Sequence, residues 1–140
     1  MSKLQTPFRY DFVGSFLRPQ ALKDAKTAYQ NGKISKEELD KITDEEITKV
    51  VAKQKELGFH VITDGEFRRN FWHLDFMWGL DGVAHENTGN GVKFDAELAV
   101  LDDTYLVGKI KAKAHPFVEY FKFLKQFEDE NTVAKYTIPA

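Results

Sequence analysis

Phe59-His60-Val61-Ile62-Thr63-Asp64-Gly65-Glu66-Phe67-Arg68-Arg69 decides the fold class. The run Phe59 to Thr63 follows Gly58 and reads as a buried strand, with Asp64-Gly65-Glu66 as the loop at its C-terminal end. Upstream, Ser35-Lys36-Glu37-Glu38 is a capping box, in which the Ser35 hydroxyl and the Glu38 carboxylate each satisfy an orphaned backbone donor. Leu39, Ile42, Ile47, Val50, Val51 and Leu57 then keep one helical face apolar as far as Gly58. Before that helix, Pro19 suits a first helical turn and Leu22, Ala25, Ala28 and Tyr29 form a stripe ending near Gly32. Phe12-Val13 reads as a first strand running into a Gly14-Ser15 turn.

Downstream, a helix with an apolar-aromatic face is predicted over Asn70 to Leu80. Val92 to Val100 and Leu106 to Ala112 both alternate, and Asp102-Asp103 between them predicts a hairpin that joins the two. Pro116 opens a further helix, and Val133 to Ile138 reads as a last strand. Without the hairpin the order is βαβαβ, which implies an α/β chain with a parallel sheet and right-handed crossovers. The strands near Phe12, Val61 and Ile138 are expected as parallel neighbours in that order, with the hairpin outside their sheet. The last strand has no helix behind it, so it is expected to present an open edge, with Tyr136 and Ile138 partly exposed, and to favour self-association.

The 140 residues carry 20 Lys and Arg against 22 Asp and Glu, a formal charge of −2, so no global field favours nucleic acid or an anionic membrane. With 42% hydrophobic residues the chain can bury a core, and one domain is the prior. No cysteine is present, which removes disulfides, thiolate nucleophiles and Cys-containing zinc sites. Met1 to Pro7 has no apolar core of signal-peptide length and no apolar run approaches the ~20 residues of a membrane span, which makes a cytoplasmic protein the default.

The densest polar cluster is the strand-end loop, where α/β folds place binding residues. Gly65 permits a sharp turn that leaves Asp64 and Glu66 free to share a cleft, where two carboxylates can hold an ammonium group, bind a metal or share a proton. The plainer alternative is a solvated loop with salt bridges from Arg68 and Arg69. Gly14-Ser15 repeats the pattern at the first strand, with an open backbone and a hydroxyl, although a simple turn has the same composition. His73 and Asp75 are two apart and do not share a helical face, so they suit polar contacts at a pocket rim better than a metal pair. Trp72, Phe76, Met77 and Trp78 read as core or pocket wall, His60 as a satisfied core histidine, His85 as a loop residue and His115 as the residue that starts a helix. No catalytic triad, P-loop or dinucleotide fingerprint occurs.

Taken in order, Val13-Gly14-Ser15-Phe16-Leu17-Arg18-Pro19, Gly32-Lys33-Ile34-Ser35, Gln54 to Gly58, Asp64-Gly65-Glu66-Phe67-Arg68-Arg69 and Lys135-Tyr136-Thr137-Ile138-Pro139-Ala140 resemble the catalytic domain of cobalamin-independent methionine synthase. Trp72-His73-Leu74-Asp75-Phe76 resembles a short branch of that family. The resemblance implies a (β/α)8 TIM-type barrel that moves a methyl group from a folate donor to the thiol of homocysteine, with zinc holding the thiol. It also implies that Ser15 and Glu66 hold the amino-acid end of homocysteine, within a substrate-binding set of Gly14, Ser15, Asp64, Glu66, His73 and Asp75. Full-length members typically carry His at the position of Asp64 and an acidic residue at that of Phe71. The family's zinc ligands (one His, one Glu, two Cys) belong to later strands, so neither a metal ligand nor a catalytic residue is expected among these residues. A complete barrel takes about 250 residues. Residues 1–140 are therefore expected to form one incomplete unit, the first three barrel strands with an inserted hairpin. The alternative is a non-catalytic amino-acid-binding or oligomerisation module.

Overall fold

A computed structural model describes residues 12–89, 91–94, 97–100, 102–112 and 114–139. Helices α1 (Gln20–Gln30) and α2 (Lys36–Glu56) pack on each other ahead of strand β1 (Val61–Ile62). Then follow α3 (Leu74–Trp78), β2 (Asp81–Glu86), β3 (Gly91–Phe94), β4 (Glu97–Val100), β5 (Asp103–Lys111), α4 (Pro116–Lys125) and β6 (Val133–Ala134).

The start of α2 follows the sequence closely. Ser35 Oγ accepts from Glu38 N–H at 3.1 Å, and Glu38 Oε2 accepts from Ser35 N–H at 2.9 Å. Buried Leu22 of α1, Ile47 and Val51 of α2, Ile62 of β1, Phe67 and Leu124 of α4 form one apolar core, with Phe16, Val50, Phe123 and Phe127 packed around it. Each such side chain stabilises the fold by roughly 1.5–3 kcal/mol when fully removed from water. That core fixes where β1 ends, and so where its loop begins.

β1 and β6 pair in parallel, Val61 with Val133 and Ile62 with Ala134, as the βαβ order requires. The excursion between them lies outside this pair, as expected, but its internal pairing differs from the predicted hairpin. β3 folds back on β4, pairing Gly91 with Val100, while β5 pairs antiparallel with β2, placing Val83 opposite Leu106. Asp81 to Glu86 lacks strict alternation, so its claim on β5 was invisible to periodicity; the Asp102-Asp103 turn joins strands of two different pairs. The helix predicted over Asn70 to Leu80 is confined to Leu74–Trp78, because Asn70 and Phe71 direct their amides at Asp75 instead.

The first strand is also corrected. Phe12-Val13 joins no ladder, although the Phe16 N–H donates to the Gly65 carbonyl at 3.1 Å and Lys135 Nζ reaches the Phe12 carbonyl. Gln54 occupies one edge of β1 at its end, where its amide meets both backbone groups of Thr63. The last strand stops at Ala134, and beyond it Ile138 is 60% exposed whereas Tyr136 is largely covered.

Candidate functional site

The loop after β1 is a chain of local hydrogen bonds that forces one carboxylate outward. Thr63 Oγ1 accepts from Gly65 N–H at 3.2 Å, and Asp64 Oδ1 accepts from Glu66 N–H at 2.9 Å. Arg69 N–H donates to the Glu66 carbonyl at 3.0 Å, closing the turn. Gly65 sits at φ 64°, and a Cβ there would lie 2.8 Å from Phe16 Cδ2, so both conformation and packing require glycine. Glu66 itself sits at φ 59°, a left-handed conformation unusual for a residue with a side chain and a frequent mark of functional loops.

Glu66 is 5% exposed, with both carboxylate oxygens hydrogen-bonded. Ser15 Oγ donates to its Oε2 at 2.6 Å, while Thr137 Oγ1 donates to Oε1 at 3.0 Å and Arg69 Nη1 at 3.2 Å. Arg69, only 2% exposed, also donates to the Trp72 carbonyl at 3.3 Å and to the Thr137 carbonyl. Its guanidinium lies 4.6 Å from the Phe117 ring centroid and 5.0 Å from that of Tyr136, so α4 and the segment after β6 hold the cation from both sides. Arg18 spans the two loops by donating to the Glu66 and Arg69 carbonyls at 3.2 and 3.0 Å.

These groups border a cleft of about 310 Å³ at the C-terminal ends of β1 and β6, lined by Gly14, Ser15, Glu66, Arg69, Trp72 and Thr137 among others. Trp72, 63% exposed, supplies an apolar wall. The cleft therefore offers a buried carboxylate, a hydroxyl and an aromatic surface, a set that suits an ammonium-bearing small molecule with an apolar body. A second cleft of about 170 Å³ opens between α1 and α2, where Lys36 is matched to Asp40 and Arg68 to Asp44. Lys26 donates there to the Arg69 carbonyl at 2.7 Å, and burial, reinforced by the Arg18 charge, lowers its pKa to about 8.

Gly14, Ser15 and Glu66 thus meet at one cleft. Asp64 lies behind it: 3% exposed, it orders the Glu66 turn and does not line the cleft. Burial pushes its carboxyl pKa up. Asp75 is directed elsewhere, with its two oxygens accepting from the amides of Asn70 and Phe71 at 2.8 and 3.0 Å. His73 is also outside the cleft, its ring 4.5 Å from that of Trp72. His60 proves exposed, bonded to the Asn131 carbonyl, and His85 lies in β2, stacked on Trp78 at 3.8 Å and 2.7 Å from Asp102. His115 does start a helix, accepting from Phe117 N–H. Arg69 and Thr137 were missed as site residues: Glu66 is only three positions from Arg69, but the Phe117, Tyr136 and Thr137 groups that enclose Arg69, and the Glu66 partner of Thr137, stand far away in sequence.

Among the described residues, no group of three or more His, Cys, Asp or Glu could hold a metal, and no helix is long and apolar enough to cross a membrane. The residues present therefore do not fit the zinc that the resemblance implies.

Residues 9–114 match the family model described as the catalytic domain of cobalamin-independent synthase. The chain is 40% identical over 136 residues to YxjH of Bacillus subtilis, an uncharacterized protein, covering 97% of this chain and 36% of that one. It is 35% identical over 77 residues to a 5-methyltetrahydropteroyltriglutamate–homocysteine methyltransferase of Bradyrhizobium diazoefficiens, covering 55% of this chain and 10% of that one. The crystal structure of a candidate vitamin-B12-independent methionine synthase from Listeria monocytogenes overlays with a TM-score of 0.79 at 43% identity, covering 99% of this chain and 38% of that one. The chain spans a little over a third of the length of YxjH and of the Listeria protein.

Proposed function

The chain belongs to the family of cobalamin-independent synthase catalytic domains, and from that premise we propose that it supplies the amino-acid end of a homocysteine pocket for methyl transfer from a methyl-folate donor. The observation that carries this reading is the 2.6 Å hydrogen bond from Ser15 to Glu66. Two loops separated by 51 residues meet at one carboxylate, at the two positions that the family resemblance assigns to the substrate's amino-acid end.

The chemistry that follows is binding and orientation. The Glu66 carboxylate accepts the ammonium group, and the Arg69 and Thr137 donors on its other oxygen keep it aligned. Ser15 fixes Oε2 and presents its own oxygen to the ligand, while Trp72 covers the aliphatic chain. Held in this way, homocysteine directs its thiol away from Glu66. In the family zinc supplies activation of that thiol; no step through the metal is derived from these residues. In this reading β1 and β6 are two of the parallel strands of a TIM-type barrel, with β2 to β5 forming an excursion between them. The chain contributes one part of such an enzyme's substrate site.

Calorimetric titration of the chain with L-homocysteine tests the assignment. Saturable binding that Ser15→Ala weakens and Glu66→Gln abolishes is the expected result. Binding indifferent to Glu66→Gln would remove the pocket.

A further inference from the structure

Around the Glu66 loop, Arg18 and Lys26 are spent on the Glu66 and Arg69 carbonyls, and all but one of the buried acids have an ion-pair partner. Arg68 is matched by Asp44 and Arg69 by Glu66, while buried Glu46 is matched by Lys49. Asp64, 3% exposed, has no ion-pair partner among the described residues. Its Oδ1 accepts the Glu66 amide proton, and its Oδ2 is buried without a hydrogen bond. The polar group that faces it is the Tyr136 phenol, also buried; burial has the larger effect and raises the Asp64 pKa, while a phenol O–H turned onto Oδ2 lowers it. Arg69 and Arg68 are the cations whose charge acts on it, lowering its pKa, and each is already committed to another acid.

An ionised carboxylate in this position would be a second negative charge beside Glu66, desolvated and unmatched, which is costly. A carboxylic acid has no such cost and gains a donor for the phenol oxygen. We propose that Asp64 is a positioning residue that remains a neutral carboxylic acid in the folded chain, holding Glu66 in its left-handed turn through Oδ1 and directing its O–H at Tyr136. Burial, which raises the pKa of both groups, acts in the same direction. The consequence for ligand binding rests on the amino-acid pocket proposed above; the protonation state does not.

Carbon-13 carboxyl NMR on the whole chain tests this without a ligand. The Asp64 signal, assigned by its loss in Asp64→Asn, should stay at the protonated position at about pH 5, where an ordinary aspartate (about 3.9) has ionised. Titration with the other aspartates overturns the proposal. A folded-state pKa raised for an acid means that the native chain binds more protons than the unfolded one, so stability falls as pH rises through that value. Asp64→Asn, which mimics the neutral acid, should lack that loss; the same fall in both proteins counts against the assignment. The Glu66 amide resonance should move in Asp64→Ala and return towards its original place in Asp64→Asn. With L-homocysteine as probe, Asp64→Ala should weaken binding about tenfold, with most of this recovered in Asp64→Asn. Equal loss in both variants overturns the positioning role. If the unmodified chain does not bind L-homocysteine, the pocket reading fails, and the ligand-free titration and amide shifts still decide the state of Asp64.

Discussion

Gln54 offers a sharp test of how the site is supported. Its side chain leaves α2 at a buried position, donating from Nε2 to the Thr63 carbonyl at 2.8 Å and accepting from the Thr63 N–H at 2.9 Å. It thus stands in for a neighbouring strand at Thr63, just past the end of β1. Gln54→Leu keeps nearly the same volume, so little packing is lost, but both backbone groups of Thr63 are left buried and unpaired. Each such group costs about 1–3 kcal/mol, giving about 2–6 kcal/mol for the pair. Against a typical domain stability of about 5–15 kcal/mol that is a large fraction. Equilibrium urea unfolding followed by far-UV circular dichroism and tryptophan fluorescence should show a lower midpoint with an unchanged slope. Because Thr63 leads into Asp64-Gly65-Glu66, the Glu66 amide resonance should shift as well. A loss below about 0.5 kcal/mol, the range of ordinary surface substitutions, would mean that Thr63 finds other partners, and the account of the loop would be wrong.

Three further outcomes are expected. Gly65→Ala should cost about 2–5 kcal/mol, adding a left-handed φ penalty to overpacking against Phe16, and should weaken L-homocysteine binding; unfolding and calorimetry measure both. Lys26, with its pKa lowered from 10.5 to about 8, leaves the native chain with fewer bound protons than the unfolded one between those values. Stability should therefore rise between about pH 8 and 10, and Lys26→Met should flatten that slope in pH-dependent unfolding. The chain should also self-associate through the open side of β6 and exposed Ile138; light scattering at micromolar concentration giving the monomer mass would refute this.

Where the sequence was legible, the signal was local. The capping box, the glycine stops and the polar strand-end loop each depend on residues within a few positions, and each recurs in the structure. The parallel pairing of β1 with β6 followed from the alternation of element types. Illegible features depended on distant partners or on local bonds that follow no period. Arg69 read as a loop cation, yet Phe117, Tyr136 and Thr137 convert it into the buried counterion of Glu66. Asp75 read as a rim residue but satisfies two local amides, and a carboxylate five residues from Asn70 gives no periodic cue. β5 chose β2 as its partner through a pairing that strict alternation does not encode. Ser15 lay between these cases: its turn was legible, but no local pattern encodes its bond to a residue 51 positions away.

The parallel β1–β6 pair also dictates when the cleft can exist at all. Val61 and Val133 are joined through about 70 residues of chain, whereas β3–β4 and β2–β5 close over far shorter loops. Long closures form slowly, because their entropy must be lost before the contacts form. Glu66 gains its Thr137 donor, and Arg69 its Tyr136 face, only after that closure. On the ribosome, the helices and the antiparallel pairs can form while the ligand cleft is still absent. Ligand capture should consequently trail recovery of helical signal in a refolding experiment, and simultaneous recovery of the two would contradict that order.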